Sequence, residues 1–363
     1  MVDVDNRIKR VERNLMDDSK EEPMDLSERM EDYRLPGMSV SVIDGGEIDW
    51  SKGYGVLEKE TDREVDVDSV FHACSMSKFA TAMVVMELVG RDELDLDEDV
   101  NEYLRNWKVS KNKFTAQNKV TLRLLLSHQG GFMDPEKSFK PYDEKDEFPE
   151  LVNMLNGETR YLPDRAEVKY VPGGGAEYSD TGYCVIEQLL EDFTGDDFSV
   201  LADELVFGPL GMENSYFKYP FEIDDLSNFA VGHTEDEVLE EKRAVYPYLA
   251  AAGLWSTPTD LSKMIIELMD SLDGEGKLSI GEDLAEEMIT SQSSEEWAGL
   301  GVFLNQKDDL IASSLGWGRG FQCMLQFYPN LKKGGVVMIN SNLGTHQVKN
   351  IIGEVLRSID HVY

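Results

Sequence analysis

Apolar and polar positions change their period several times along the chain, and each change predicts an element. Ile8, Val11, Leu15 and Met16 recur at helical spacing within an otherwise polar stretch, which predicts a helix with one apolar side over residues 1–33. Residues 38–43 and 47–53 are short β-like runs around Asp44-Gly45-Gly46, a combination that favours a tight hairpin turn. From Phe79 through Met83, Val84, Val85, Met86 and Leu88 to Gly90 the chain is apolar on every side, and a buried helix is expected. Another helix is predicted over residues 182–194, closed by Gly195. The string Thr257-Pro258-Thr259-Asp260 starts a further one, with Thr257 as its cap, proline in the first turn and an acid after it. Residues 299–305, 322–328 and 335–340 are again β-like, and a last helix is expected over 348–359. Strands at both ends with helices between them predict an α+β fold. One antiparallel sheet is built from the two chain ends, and a mostly helical lobe is inserted into it.

Composition narrows the partners. The chain has 363 residues, enough for two lobes or one large domain, and 35 basic against 71 acidic side chains give a net charge of −36. Binding to nucleic acid or to an anionic membrane needs the opposite sign. The acids are spread along the whole chain, a pattern that suits a protein working at high salt, where screening relieves self-repulsion. No apolar run reaches the roughly 18 residues of a membrane span, and the charged start lacks the apolar segment of a secretory signal, so a cytoplasmic location is expected. Cys74, Cys184 and Cys323 are an odd number without metal-ligand spacing. They are expected as small buried thiols, Cys74 having no evident partner base, and no metal or organic cofactor is implied.

The chemistry is carried by Ser75-Met76-Ser77-Lys78 at the head of the apolar helix. Residues three apart share a helical face, so a nucleophilic serine and a basic lysine can meet there. Free N–H groups and the dipole at a helix start favour developing negative charge. A lysine enclosed among apolar side chains is expected to lose its proton more readily and to accept that of the serine. The same pattern at Ser110/Lys113 and Ser215/Lys218 opens no long apolar helix. Farther along, Pro172-Gly173-Gly174-Gly175 leads into Tyr178-Ser179-Asp180, a tyrosine in a glycine-rich loop just before a helix.

This order and spacing resemble the serine β-lactamase and penicillin-binding superfamily, and most of all its class C-like branch, which includes family VIII carboxylesterases and D-aminopeptidases. The likeness extends over residues 36–342. It includes Leu125-Leu126-Ser127-His128-Gln129-Gly130-Gly131, Phe207-Gly208-Pro209-Leu210-Gly211-Met212 and Ala252-Gly253-Leu254-Trp255-Ser256-Thr257-Pro258-Thr259-Asp260-Leu261. The resemblance implies a segment 1–35 ahead of a hydrolase domain over 36–342. Its α/β part takes in about 36–70 and 255–363, and its helical lobe about 71–254. It also implies Ser75 as nucleophile, Lys78 as its general base and Tyr178 as a second acid/base group.

Two departures from the family pattern bear on substrate. Asp180 stands where the family usually has Asn; a negative charge there disfavours an anionic substrate and favours the charged form of Lys78, and as a plain helix N-cap Asp180 is equally well explained. Aligning Gly320-Phe321 with the family's Gly-Phe places Ser314-Leu315-Gly316-Trp317 on the sheet-edge element, with Ser314 in the position of a Lys or His. The backbone N–H groups of Ser75 and Trp317 would form the oxyanion hole. Arg319 is the candidate substitute for the lost cation. His72 and His128 lie near the motifs and are expected as core or loop hydrogen-bonders. The expected activity is acyl-serine hydrolysis of carboxylic esters or small amides, with β-lactam turnover slow or incidental. The alternatives are a D-amino-acid peptidase or penicillin-binding protein, and a catalytically silent binding protein of the same fold.

Overall fold

The computed structural model describes residues 4–16, 22–234, 237–292, 296–306 and 309–363. A six-stranded sheet organises them. Its strands are β1 (Gly37–Asp44), β2 (Glu47–Gly55), β5 (Phe303–Gln306), β6 (Leu310–Gly318), β7 (Phe321–Tyr328) and β8 (Lys333–Ile339), in the order β2-β1-β8-β7-β6-β5. All neighbours are antiparallel, and the join between the chain ends is the β1–β8 ladder, Met38 opposite Ile339 through Ile43 opposite Gly334. The remaining two numbers belong to a separate pair, β3 (Phe71–Cys74) and β4 (Leu254–Ser256), which brackets the helical lobe.

Alternation along the strands divides the interior into two cores. Met38, Val40, Val42, Val337 and Ile339 face helices α1 (Val4–Glu12), α2 (Leu26–Asp32) and α7 (Ile351–Val362). Val336 and Met338 point to the other face, toward α3 (Ser77–Gly90), α4 (Asp180–Thr194), α5 (Leu249–Ala252) and α6 (Pro258–Leu272). On that face β1 offers small Ser39 and Ser41, which lets α6 approach until Ser262 Oγ reaches Ser41 Oγ at 2.9 Å. The predicted 1–33 helix is instead two short helices, with a bridge between Leu15 and Met24 among the described residues between them. Glu354 of α7 ties α2 down by accepting from Arg29 Nε at 2.8 Å, both side chains being buried.

Helix starts and stops follow local chemistry. Thr257 Oγ1 caps α6 by accepting from Asp260 N at 3.1 Å, with Pro258 in the first turn. Gly195 ends α4 at φ 84°, a left-handed conformation that glycine adopts without strain. β5 pairs only with residues 310–313 of β6, so the half of β6 from Ser314 to Gly318 presents an open edge.

Candidate active site

Strand β3 delivers the chain to Cys74, which adopts a left-handed φ of 50°, and α3 begins at Ser77. Ser75 therefore sits in the turn ahead of α3 rather than in its first turn; its carbonyl accepts from Lys78 N at 3.1 Å. Lys78 is buried, and its Nζ donates to Asp180 Oδ1 at 2.6 Å and to the Ala251 carbonyl at 2.7 Å. Burial by itself lowers the lysine pKa, as the sequence predicted. Asp180 and Tyr178 outweigh it, so the net displacement is upward and Lys78 rests as an ammonium. The expectation of an easily deprotonated lysine is corrected by a carboxylate that arrives from a helix 102 residues away.

Tyr178 is 40% exposed, and its ring lies 4.9 Å from Lys78 Nζ. Its hydroxyl end is enclosed, which raises its pKa, while the neighbouring Lys78 ammonium and Ser75 hydroxyl pull the other way. The tyrosine leans on the ring of His128 at 4.4 Å. His128 Nδ1 accepts from Ser179 N at 3.2 Å, which leaves any ring proton on Nε2. Burial, then the Lys78 charge, hold its pKa down to about 3, so the imidazole is neutral. His128 thus both braces the loop and lines the site.

Ser179, not Asp180, caps α4, its Oγ accepting from Gly182 N at 3.2 Å. Asp180 is then free to turn its carboxylate to Lys78; burial and the Asp134 charge raise its pKa, and the Lys78 ammonium opposes them. Sequence reasoning missed Asp134. Its carboxylate accepts from Ser179 Oγ at 2.9 Å, Asp180 N at 2.8 Å, Thr181 N at 3.0 Å and Thr181 Oγ1 at 2.7 Å. One acid thereby collects the exposed donors at the start of α4 and fixes the Tyr178-Ser179-Asp180 turn. The only hint in the sequence was an acid shortly after the Gly130-Gly131 loop.

β6 closes the other side. A Cβ on Gly316 would lie 2.3 Å from the Ala73 carbonyl oxygen and 3.1 Å from Cys74 Cβ, so only glycine lets this strand run against β3. Trp317, the next residue, lines the same cleft as Ser75. The cleft holds about 520 Å³, with Asp180, Tyr246, Tyr248, Trp317 and Arg319 among its walls. Arg319 is engaged: its guanidinium forms an ion pair with Glu241, and its backbone N donates to Tyr246 Oη at 2.8 Å. Ser314 and Leu315 do not line this cleft; they line a small adjoining cavity together with Ser75, Lys78, His128 and Tyr178. Among the described residues no cluster of metal-ligating side chains occurs, and no helix is long and apolar enough to cross a membrane. Cys74 is buried as expected, but it does have a basic neighbour, His72 Nδ1 at 3.1 Å from its Sγ. His72 itself is a core residue packed on Trp255 and Tyr246.

The sequence profile of the beta-lactamase family matches residues 21–354. The chain belongs to the beta-lactamase family. Within it, the chain is similar to the octameric penicillin-binding protein homologue from Pyrococcus abyssi (TM-score 0.73, 22% identity, 92% of this chain and 75% of that one). It is equally similar in fold to a beta-lactamase/D-alanine carboxypeptidase from Yersinia pestis (TM-score 0.73, 18% identity, 93% of this chain and 95% of that one). By sequence it is 25% identical over 232 residues to a teichoic acid D-alanine hydrolase from Staphylococcus aureus, covering 63% of this chain and 53% of that protein. An unguisins hydrolase from Aspergillus campestris is 29% identical over 195 residues, 53% of this chain and 35% of that protein. The chain therefore spans a third to a half of these two relatives' length. The predicted superfamily and α+β fold stand, and the relatives are named as hydrolases.

Proposed function

We propose that the protein is a serine hydrolase that cleaves carboxylic esters or small amides through an acyl-Ser75 intermediate. The observation that carries this is the convergence of Ser75, Lys78 and Tyr178 on one small cavity, beside an open cleft that Ser75 and Trp317 also line. Ser75 Oγ attacks the carbonyl carbon, its proton passes to Lys78 once that group is deprotonated, and Asp180 sets the pH at which this happens. Tyr178, protonated at neutral pH, donates to the leaving alkoxide or amine. The Ser75 and Trp317 amides hold the oxyanion, and water then hydrolyses the acyl-enzyme by the reverse sequence of proton transfers.

The cleft's charges support a neutral substrate in preference to a carboxylate-bearing one. Ser314, in the adjoining cavity, carries no charge, Arg319 is paired with Glu241, and the Asp180 carboxylate and Lys78 ammonium offset one another, so no unpaired cation faces the substrate among these groups. The resting Lys78–Asp180 ion pair favours a second reading, a silent binding protein that keeps the fold. One experiment separates the two. A fluorophosphonate probe should add once to the wild type, on the peptide containing Ser75, and not to Ser75→Ala. An adduct that persists in the alanine variant, or a wild type that never labels while its ester turnover is nil, rejects the hydrolase.

A further inference from the structure

The acyl-serine scheme leaves unused a group of nucleophiles directly beneath the cleft. Cys74 Sγ lies 3.1 Å from His72 Nδ1, which also accepts from the Cys74 backbone N at 3.1 Å. Cys323, on β7, approaches from the far side: its Sγ donates to the Ala73 carbonyl at 3.1 Å, and the point where a Gly316 Cβ would sit is 2.3 Å from Cys323 Sγ and 3.1 Å from Cys74 Cβ. Burial pushes the Cys74 thiol up, but Cys323, His72 and Lys78 outweigh it and hold it at about 6, while burial and the Cys74 charge push Cys323 well above the ordinary range. Cys74 lines the cleft beside Ser75 and Gly318, and a Cβ on Gly318 would come within 2.7 Å of its sulfur. A nucleophilic sulfur, a neighbouring base, a second thiol and a route for small molecules therefore coincide. Cys184, buried within α4 with its pKa pushed well above the ordinary range by burial and nearby acids, has none of these.

We propose that Cys74 and Cys323 are a peroxide-sensitive thiol pair that closes into a disulfide under the substrate cleft and switches the site off. Cys74, its proton taken by His72, attacks one oxygen of a hydroperoxide. The O–O bond breaks, the sulfur is oxidised to a sulfenic acid, and the departing hydroxide or alkoxide takes the proton back from His72. Cys323 sulfur then attacks Cys74 Sγ; the S–S bond forms, the S–O bond breaks, and the hydroxide leaves as water with the Cys323 proton. With hydrogen peroxide, two thiols and one peroxide become one disulfide and two waters, and a dithiol reverses the change.

Inactivation follows from the packing. Gly316 is wedged between the Ala73 carbonyl and Cys323 Sγ, each 2.3 Å from where its Cβ would be. Drawing the two sulfurs into a bond pulls β3 and β7 together and displaces β3 or the Gly316 stretch of β6 that lies against both, and β3 and β6 lead to the proposed oxyanion amides, at Ser75 and Trp317. Activity should fall roughly 100-fold or more, the scale of losing one such donor.

The test treats the reduced full-length protein with hydrogen peroxide, alkylates the remaining thiols after unfolding, and reads mass and peptides. The wild type should carry one alkyl group, on Cys184, and a linked peptide joining Cys74 to Cys323, with ester turnover lost and then restored by dithiothreitol. Cys323→Ala should form no link and should oxidise irreversibly at Cys74; Cys184→Ala should behave as the wild type. Melting curves of the reduced variants verify that each is folded, and the wild-type peptide map decides the pairing even if one is not. Absence of the Cys74–Cys323 link, or oxidation of Cys184 as fast as Cys74, overturns the proposal. A fully linked protein that still hydrolyses at the reduced rate overturns the switch while leaving the acyl-serine reading intact.

Discussion

Asp180→Asn removes the carboxylate that lies 2.6 Å from Lys78 Nζ and keeps the shape of the side chain. A charge-assisted hydrogen bond of this kind contributes about 1.5 to 3 kcal/mol, or roughly 1 to 2 pH units at about 1.4 kcal/mol each. The Lys78 side chain is 4% exposed but that of Asp180 is 21%, so solvent screens the pair and the lower end, about 1 unit, is expected. The sign follows from which form the carboxylate favours. Asp180 stabilises the ammonium and raises the Lys78 pKa; without it the free amine appears at lower pH. The log-linear alkaline rise in kcat/KM for a neutral chromogenic ester, followed below the raised Lys78 midpoint with buffer hydrolysis subtracted, should therefore move down by about 1 unit. The variant should also exceed the wild type near neutrality. A rise that stays where it was would refute Lys78 as the titrating base. Loss of activity by about 100-fold with no shift would mean that Asp180 itself carries the proton.

Other substitutions probe separate parts of the site. Asp134→Ala strips all four contacts from the start of α4 and should lower stability by about 1 to 2 kcal/mol in urea, together with kcat. Asp134→Asn, with its oxygen in the place of Oδ1, keeps three of those contacts and should recover most of both; equal losses in the two variants would count against a positioning role. Glu187 is buried in α4 with its pKa pushed up to about 8 by burial, then by Glu191, although it accepts from Ala250 N at 2.9 Å. The unfolded chain releases that proton at ordinary carboxylate pH and the folded chain retains it. Wild-type stability should therefore fall as pH rises from about 5 to 8, and Glu187→Gln should flatten that slope in denaturant titrations. At a net charge of −36, the melting temperature should rise with potassium chloride toward molar concentration, and a flat or falling curve would reject the high-salt expectation. Ser314→Lys places a cation in the cavity shared by Ser75, Lys78 and Tyr178. It should speed a carboxylate-bearing cephalosporin about 10- to 100-fold relative to p-nitrophenyl butyrate, and an unchanged ratio would show that Ser314 is not the substrate-carboxylate position.

What could be read in advance was what local spacing controls. The serine and lysine of the first motif are three residues apart, and the apolar run behind them left little choice but a buried helix. The hairpin at Gly45-Gly46 and the Thr257 cap are decided within four residues. The charge state of Lys78 is different in kind: it depends on Asp180, whose freedom to reach across comes from Ser179 taking over the cap and from Asp134 holding the turn. None of those three contacts has a period or a spacing, so hydropathy could not show them. The 1–33 helix failed for a related reason, since apolar residues at helical spacing cannot by themselves reveal a break before Met24.

β6 shows most clearly how the site distorts the pattern that sequence reading relies on. Its buried positions are Ala312, Ser314 and Gly316, whereas Leu315 is only half-buried and Trp317 is 44% exposed. That is the reverse of a strand with an apolar inner face. The inversion has a cause in the packing: the inner face of β6 runs hard against the Ala73 carbonyl and the Cys74 and Cys323 side chains, and a Cβ at Gly316 would already overlap the Ala73 oxygen and Cys323 Sγ. Small residues are therefore required where this strand runs against β3, the segment that leads to Ser75. Burial still alternates along the strand, but the apolar side chains do not follow it, so its place in the sheet was legible only through its resemblance to a known site element.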